Sequence, residues 1–227
     1  MKLALFDLDN TLLDGDSDYL WGEHLVAQGV VDGDWYRSEN LRYYHAYEAG
    51  QLDIREFLAF ALRPLAENRR AQLEAWRSDF IESQIMPRIA TEALRLVDRH
   101  RDAGETPVIV TATNRFVTEP IAQLFGIDHL LATEAEMRDG EFTGEVAGTP
   151  CFREGKLIRL QQWLGGNIGV LESAHFYSDS RNDLPLLEAV GHPVAVNPDP
   201  ALAGIARERG WPMLSLRAEV AEQKPGG

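Results

Sequence analysis

The sequence predicts an α/β fold, a doubly wound parallel sheet with an inserted α-helical bundle, and three observations carry that expectation. Short apolar segments without period-2 alternation recur at residues 3–6, 108–110, 129–132, 174–177 and 194–196, the pattern of strands buried on both faces. Helical patterns lie between most of them, and strands that alternate with helices pair in parallel. Between the first two strands, residues 19–85 hold no strand pattern at all, so a helical unit is expected to be inserted there.

Taken in order, the first strand is LALF, which runs directly into Asp7. The insert reads as four helical stretches. YLWGEHLVAQG and WYRSENLRYYHAYEAG each end near glycine, DIREFLAFAL starts with Asp53 as N-cap and Glu56 three residues on, and ENRRAQLEAWRSDFIESQI follows. Its aromatics, Trp21, Trp35, Tyr36, Tyr43, Tyr44, Tyr47, Phe57 and Phe60, are expected mostly to fill the bundle's own core, with one or two facing a ligand. TEALRLVDRHRDAGE then places Ala93, Leu94, Val97 and His100 on one side and stops at Gly104. Further helices are expected over 115–125, interrupted at Pro120, and over 156–164, 184–190 and 201–209. RDGEFTGEV breaks the alternation with an Asp139-Gly140 hairpin turn. The division expected is an α/β core of residues 1–15 and 86–220, a helical cap of 16–85 and a frayed tail of 221–227.

At 227 residues the chain can bury one sizeable core and a smaller second unit. Its 36 acidic residues against 22 Lys and Arg give a net charge of −14, which repels nucleic acid and anionic membrane surfaces. The single cysteine, Cys151, excludes an intrachain disulfide, and no apolar run approaches the roughly 20 residues that cross a bilayer. A cytoplasmic monomer or homodimer without nucleic-acid or membrane partners is expected.

The opening stretch packs Asp7, Asp9, Asp14 and Asp16 into ten residues. Like charges so close repel, which points to a cation among them. In an open α/β sheet, ligands bind at the carboxyl ends of strands. Those ends here are Asp7, Thr111 in VIVTATN, and Asp179 with Asp183 in YSDSRND, while the helix opening REGKLIRL adds Lys156. Each residue type has a job if the substrate is a small phosphate ester. Asp7 can attack phosphorus, and Mg²⁺ held by Asp7 and Asp179 would screen the two anions from each other. Lys156 adds a compensating charge, and Thr111 with backbone N–H groups near Asn114 can bind phosphate oxygens. Asp9 can protonate the leaving alkoxide and then deprotonate water.

Together DLDNTLL, VIVTAT, GK and SDSRND, in that order, resemble the haloacid dehalogenase-like (HAD) phosphatases, closest to the phosphoserine-phosphatase-like branch with its helical cap. The resemblance spans residues 2–216 and implies Asp7 as nucleophile, Asp9 as acid/base with its carbonyl on Mg²⁺, and Thr111 and Lys156 as phosphate ligands. It implies a loop of Asp179, Asn182 and Asp183. Asp183 would join the metal site, directly or by orienting Lys156 or a metal-bound water, and Asn182 would contact substrate or brace the loop. Ser178 stands where that loop usually has glycine, and Arg181 where a small residue is common.

Three rivals stand beside a phosphomonoesterase: a signalling receiver domain, a phosphoryl mutase, and a binding protein on the same scaffold. A receiver lacks a helical insert after its first strand, and a binding protein would have lost a catalytic carboxylate. For the substrate, Asp16 stands where phosphoserine phosphatases carry an acidic residue that meets the substrate's amino group; otherwise it N-caps a cap helix. Phosphoserine would also need an arginine for its carboxylate, drawn from Arg37, Arg42, Arg55 or Arg63. Histidinol phosphate needs none and would use the cap aromatics on its ring.

Overall fold

A computed structural model describes residues 2–217; the expected tail, 221–227, lies outside the described residues. Seven strands, β1 Leu3–Phe6, β2 Thr106–Asn114, β3 His129–Arg138, β4 Glu141–Ala147, β5 His175–Ser178, β6 His192–Val196 and β7 Met213–Leu214, form one sheet in the order β4-β3-β2-β1-β5-β6-β7. Every neighbouring pair is parallel except β3 with β4. Strand β1 sits at the switch point: Leu5 pairs with Val108 on one side and Phe176 on the other. Its side chains alternate between two apolar layers, Ala4 and Phe6 in one, Leu3 and Leu5 in the other. The doubly wound α/β architecture is therefore the one the sequence predicts. Strand β7, only two residues long, carries no periodicity and was not foreseen. The hairpin is where expected: Arg138 pairs with Glu141 across Asp139 and Gly140, whose φ of 53° and 88° suit a two-residue primed turn.

Between β1 and β2 lie α1 Ser17–Ala27, α2 Gly33–Glu48, α3 Ile54–Ala61, α4 Arg63–Glu67 and α5 Arg70–Phe80, then a π turn, Ile81–Ile85, and a 3₁₀ turn, Met86–Arg88. The extra short helix α4 arises because Pro64, within its first turn, suits a new helix start and cannot continue α3. Asp53 caps α3 as predicted, accepting from the Arg55 and Glu56 amides at 2.9 and 3.2 Å. The insert does not have a wholly separate interior. Trp21, Leu25, Leu58, Leu65 and Phe80 share one cluster with Phe6, Ile109 and Ile121 of the sheet layer. Tyr36, Tyr43, Leu52 and Phe60 form a smaller cluster with Phe152, while Trp35 is exposed. The chain enters and leaves the insert side by side, with the Asp14 amide on the Arg88 carbonyl at 3.0 Å and Leu13 bridged to Ile89.

The remaining helices are α6 Thr91–Asp102, α7 Arg115–Leu124, α8 Glu154–Trp163, α9 Leu184–Leu187 and α10 Pro200–Arg209. Pro120 does not interrupt α7. Proline lacks the N–H that would bond the carbonyl four residues back, and Arg77 of α5 takes over that Phe116 carbonyl at 2.7 Å. Among the described residues no helix is long and apolar enough to cross a membrane.

Candidate active site

Asp7 leaves the end of β1 with its amide on the Tyr177 carbonyl of β5 at 2.9 Å, so it emerges at the switch point. Lys156 arrives from the first turn of α8. Gly155 makes that approach possible, because a Cβ there would lie 2.0 Å from the Pro150 carbonyl oxygen. Lys156 Nζ donates to Asp7 Oδ1 at 2.8 Å and to Asp183 Oδ2 at 2.6 Å. The Ser178 hydroxyl donates to the same Asp183 oxygen at 2.7 Å, so serine in the usual glycine position braces the loop. Thr11 joins Asp179 to this group: its hydroxyl donates to Asp179 Oδ1 at 3.2 Å, accepts from the Asp179 amide at 3.0 Å and lies 3.5 Å from Asp7 Oδ2. Asp7, Lys156, Asp179 and Asp183 are all buried.

Asp9 sits one layer higher. Its Oδ1 accepts from the Ser17 amide at 2.7 Å and the Ser17 hydroxyl at 2.5 Å; its Oδ2 accepts from Thr113 Oγ1 at 2.8 Å, with Thr111 Oγ1 at 3.4 Å. Thr113 is the closer hydroxyl and lines the cavity, whereas Thr111 is fully buried behind it. The sequence points to Thr111; Thr113, two residues on and on the same strand face, joins it on Asp9 Oδ2. Asn114 caps α7, accepting from the Val117 amide at 3.2 Å. Asn182 donates to the Tyr47 carbonyl at 3.1 Å and accepts from Arg153 at 3.2 Å, which ties the end of α2 to the loop after β5. Neither asparagine is among the cavity's described lining residues.

The cavity begins at Asp7, Lys156 and Asp183 and rises past Asp9 to Asp16 and Asp18 at the start of α1. Its walls are largely aromatic: Tyr19, Tyr43, Tyr44, Tyr47 and Phe57 from the insert, with Phe152 from the segment before α8. More of the cap aromatics face this space than the sequence suggests. Asp16 meets both of its expectations in position: Oδ1 caps α1, accepting from the Asp18 and Tyr19 amides at 3.0 and 2.9 Å, and the residue lines the cavity.

A sequence profile of the haloacid dehalogenase-like hydrolase family matches residues 4–188. The chain belongs to that family. It is 43% identical over 220 residues to a histidinol-phosphatase of Neisseria meningitidis serogroup C, covering 95% of this chain and 99% of that one. It is 34% identical over 222 residues to phosphoserine phosphatase SerB1 of Mycobacterium tuberculosis, covering 94% of this chain and 70% of that one. Among solved structures, a protein of unknown function from Bordetella pertussis Tohama I superposes with a TM-score of 0.89 at 45% identity, covering 95% and 99% of the two chains. A phospho-aspartyl intermediate analogue of phosphoserine phosphatase superposes with a TM-score of 0.69 at 19% identity, covering 97% and 96%, a likeness of fold. The chain is a HAD-family phosphatase.

The charges of this HAD site are unevenly compensated. Burial raises the Asp7 carboxyl against the opposing pull of Lys156, and pushes Asp183 up to about 6. Asp179 is raised well above the usual range by burial, then by Asp7 and Asp183. Burial opposes a charged Lys156, but Asp183 and Asp7 outweigh it and hold the ammonium firmly protonated. Three buried carboxylates thus share one ammonium. An all-oxygen donor set with surplus negative charge fits a hard divalent cation. Higher up, burial and then Asp9 push Asp16 up to about 7, and burial, then Asp16 and Asp9, raise Asp18 well above the usual carboxylate range. No side-chain cation answers them, since Lys156 is the one Lys or Arg among the described lining residues. Arg37, Arg42 and Arg63 pair outside the cavity with Glu23, with Glu39 and Glu56, and with Glu67, and Arg55 is exposed. Cys151 is buried, its thiol pushed up to about 12 by burial, and is inert as a nucleophile.

Proposed function

We propose that this phosphatase hydrolyses the phosphate ester of a small amino alcohol that carries a ring, histidinol phosphate being the compound that fits, through an aspartyl-phosphate on Asp7. The observation that carries this reading is the upper cavity, where Asp16 and Asp18 stand between aromatic walls without an arginine. Two carboxylates in that setting favour an ammonium or imidazolium, and tyrosine faces favour a cationic or flat ring. Phosphoserine adds a carboxylate, for which the described lining residues offer no arginine. The histidinol-phosphatase relative supports the same choice.

At the lower end the ester's phosphate meets Lys156 and the Thr113 hydroxyl. Lys156 holds Asp7 Oδ1, which leaves Oδ2 to attack phosphorus as the ester P–O bond breaks. The departing alkoxide takes its proton from Asp9, whose carboxyl group is oriented by Ser17 and Thr113. Asp9 then accepts a proton from water as that water's oxygen attacks the phosphorus of the acyl phosphate, releasing phosphate and restoring Asp7. Asp7, Asp179 and the Asp9 carbonyl would hold Mg²⁺, with Asp183 behind them, and the ion would supply the positive charge that lets a carboxylate approach an anionic ester.

Within this reading, residues 1–15 and 86–220 form the catalytic core and 16–85 the cap. The moving part of the cap is α2, because α1, α3 and α5 place Trp21, Leu58 and Phe80 in the sheet's apolar layer, whereas the end of α2 meets the core through hydrogen bonds from Asn182 and Arg153. The test is steady-state hydrolysis of histidinol phosphate with product analysis. Many equivalents of free phosphate per chain, dependent on Mg²⁺, are expected. A single stoichiometric phosphorylation would mean a receiver-like phosphoacceptor, and an isomerised ester would mean a mutase.

A further inference from the structure

The catalytic residues follow the carboxyl ends of the strands; a different set of titratable groups gathers at the amino ends. His175 opens β5, His192 opens β6, Glu105 immediately precedes β2, and His100 lies in the last turn of α6. His100 Nδ1 is 2.6 Å from Glu105 Oε2, and His175 Nδ1 is 3.4 Å from the same oxygen. One ligand atom from each of the three lies within 4.8 Å of the others. We propose that His100, Glu105 and His175 form a second metal site, for Zn²⁺ rather than Mg²⁺, with water in the fourth position.

The donor chemistry selects the ion. Two imidazole nitrogens and one carboxylate oxygen suit zinc, whereas Mg²⁺ prefers oxygen alone. The spacing is close to what zinc needs: ligands at about 2.0–2.2 Å in a tetrahedron stand roughly 3.3–3.5 Å apart. The Glu105–His175 separation already has that value. The shorter Glu105–His100 contact is a hydrogen bond; binding opens it by several tenths of an ångström and releases the shared proton to solvent.

Two further features prepare the site. His100 Nε2 is bonded to the Tyr177 hydroxyl at 2.7 Å, which turns Nδ1 toward Glu105, the kind of outer partner that orients a metal-bound histidine. His175 Nδ1 is buried with no hydrogen-bond partner although the Glu105 carboxylate faces it at 3.4 Å, which leaves that nitrogen available to a metal. The His192 ring stacks on the His175 ring at 4.7 Å and closes one side. Bound zinc would pin α6 and the starts of β2 and β5, a structural role at the end of the sheet remote from the substrate.

The test uses tag-free full-length protein, stripped of metal and then given excess Mg²⁺ to fill the catalytic site, and titrates Zn²⁺ alone by calorimetry. One zinc per chain, with a thermal midpoint that rises with zinc concentration, is expected. Glu105→Gln and His175→Ala should each weaken binding about tenfold or more, while Asp179→Asn leaves it unchanged. Retained Mg²⁺-dependent phosphatase activity reports that the first two variants are folded. Should they not fold, Co²⁺ absorption of the wild type decides: an intense four-coordinate visible band supports the site, and only the weak six-coordinate spectrum overturns it. Absence of zinc uptake in the presence of Mg²⁺, or uptake unaffected in folded His175→Ala, would show that the three residues are a hydrogen-bonded cluster only.

Discussion

The two ends of the cavity are built on opposite electrostatic plans. At the lower end Asp7 and Asp183 converge on Lys156, with Ser178 completing the knot. At the upper end Asp16 and Asp18 have aromatic neighbours and no cation among the described lining residues. Partly buried carboxylates without a counter-charge are costly, so on the proposed reading a cationic group of the substrate completes the upper end. On the proposed reading the lower end treats any phosphate monoester alike, and the upper end chooses among them.

The sharpest way to break this division is at Asp7. Asp7→Asn keeps size and removes the nucleophile, so turnover of every ester should fall by at least ~10⁴-fold with the fold retained by circular dichroism. Substantial turnover by the folded variant would contradict the lower end's role. Next in size, Asp179→Asn should raise the Mg²⁺ concentration for half-maximal activity by about tenfold or more, and an unchanged titration would remove it from the metal site. At the upper end, Asp18→Asn should lower kcat/KM for histidinol phosphate by roughly 10- to 100-fold, the worth of a charge-assisted pair, and leave an aryl phosphate within about threefold. Equal losses on both esters would erase the distinction between the two ends.

The smallest effect concerns stability without metal. A carboxyl raised in the folded state binds its proton more tightly there than in the unfolded chain. The unfolded chain sheds that proton near pH 4, while folded Asp183 sheds it near 6 and Asp16 near 7. Stability of the metal-free protein should therefore decline as pH rises from about 4 to 7, by a few degrees in Tm, with Mg²⁺ restoring it at neutral pH. A flat Tm across that window would mean that these carboxylates are better solvated than the structure indicates.

What could be read from the sequence follows the backbone. Asp7, Asp179 and Asp183 follow strand ends, and Lys156 opens a helix beside a glycine, so strand order alone brings them together. The upper end was less legible. Which of the cap's tyrosines face the cavity depends on how α1, α2 and α3 rotate against the sheet, and no helical period contains that information. Asp18 went unremarked because an acid in a first helical turn has an ordinary explanation. Asn114 carried a readable sign of its role, three residues before the amide it caps, but asparagine suits a cap and a phosphate site equally. The continuation of α7 through Pro120 depends on Arg77, far away in the chain, and could be seen only in the folded structure.

The claim that the upper end reads a cation and rejects a carboxylate is tested most directly by one ratio, kcat/KM for histidinol phosphate over that for phosphoserine, measured on the wild type with saturating Mg²⁺. Both esters present a primary alkyl phosphate and an amine, so the lower end treats them alike, and the ratio isolates ring and carboxylate. The account predicts a ratio of about 100 or more, the equivalent of roughly 2.7 kcal/mol. A ratio near one, or a preference for phosphoserine, would contradict it.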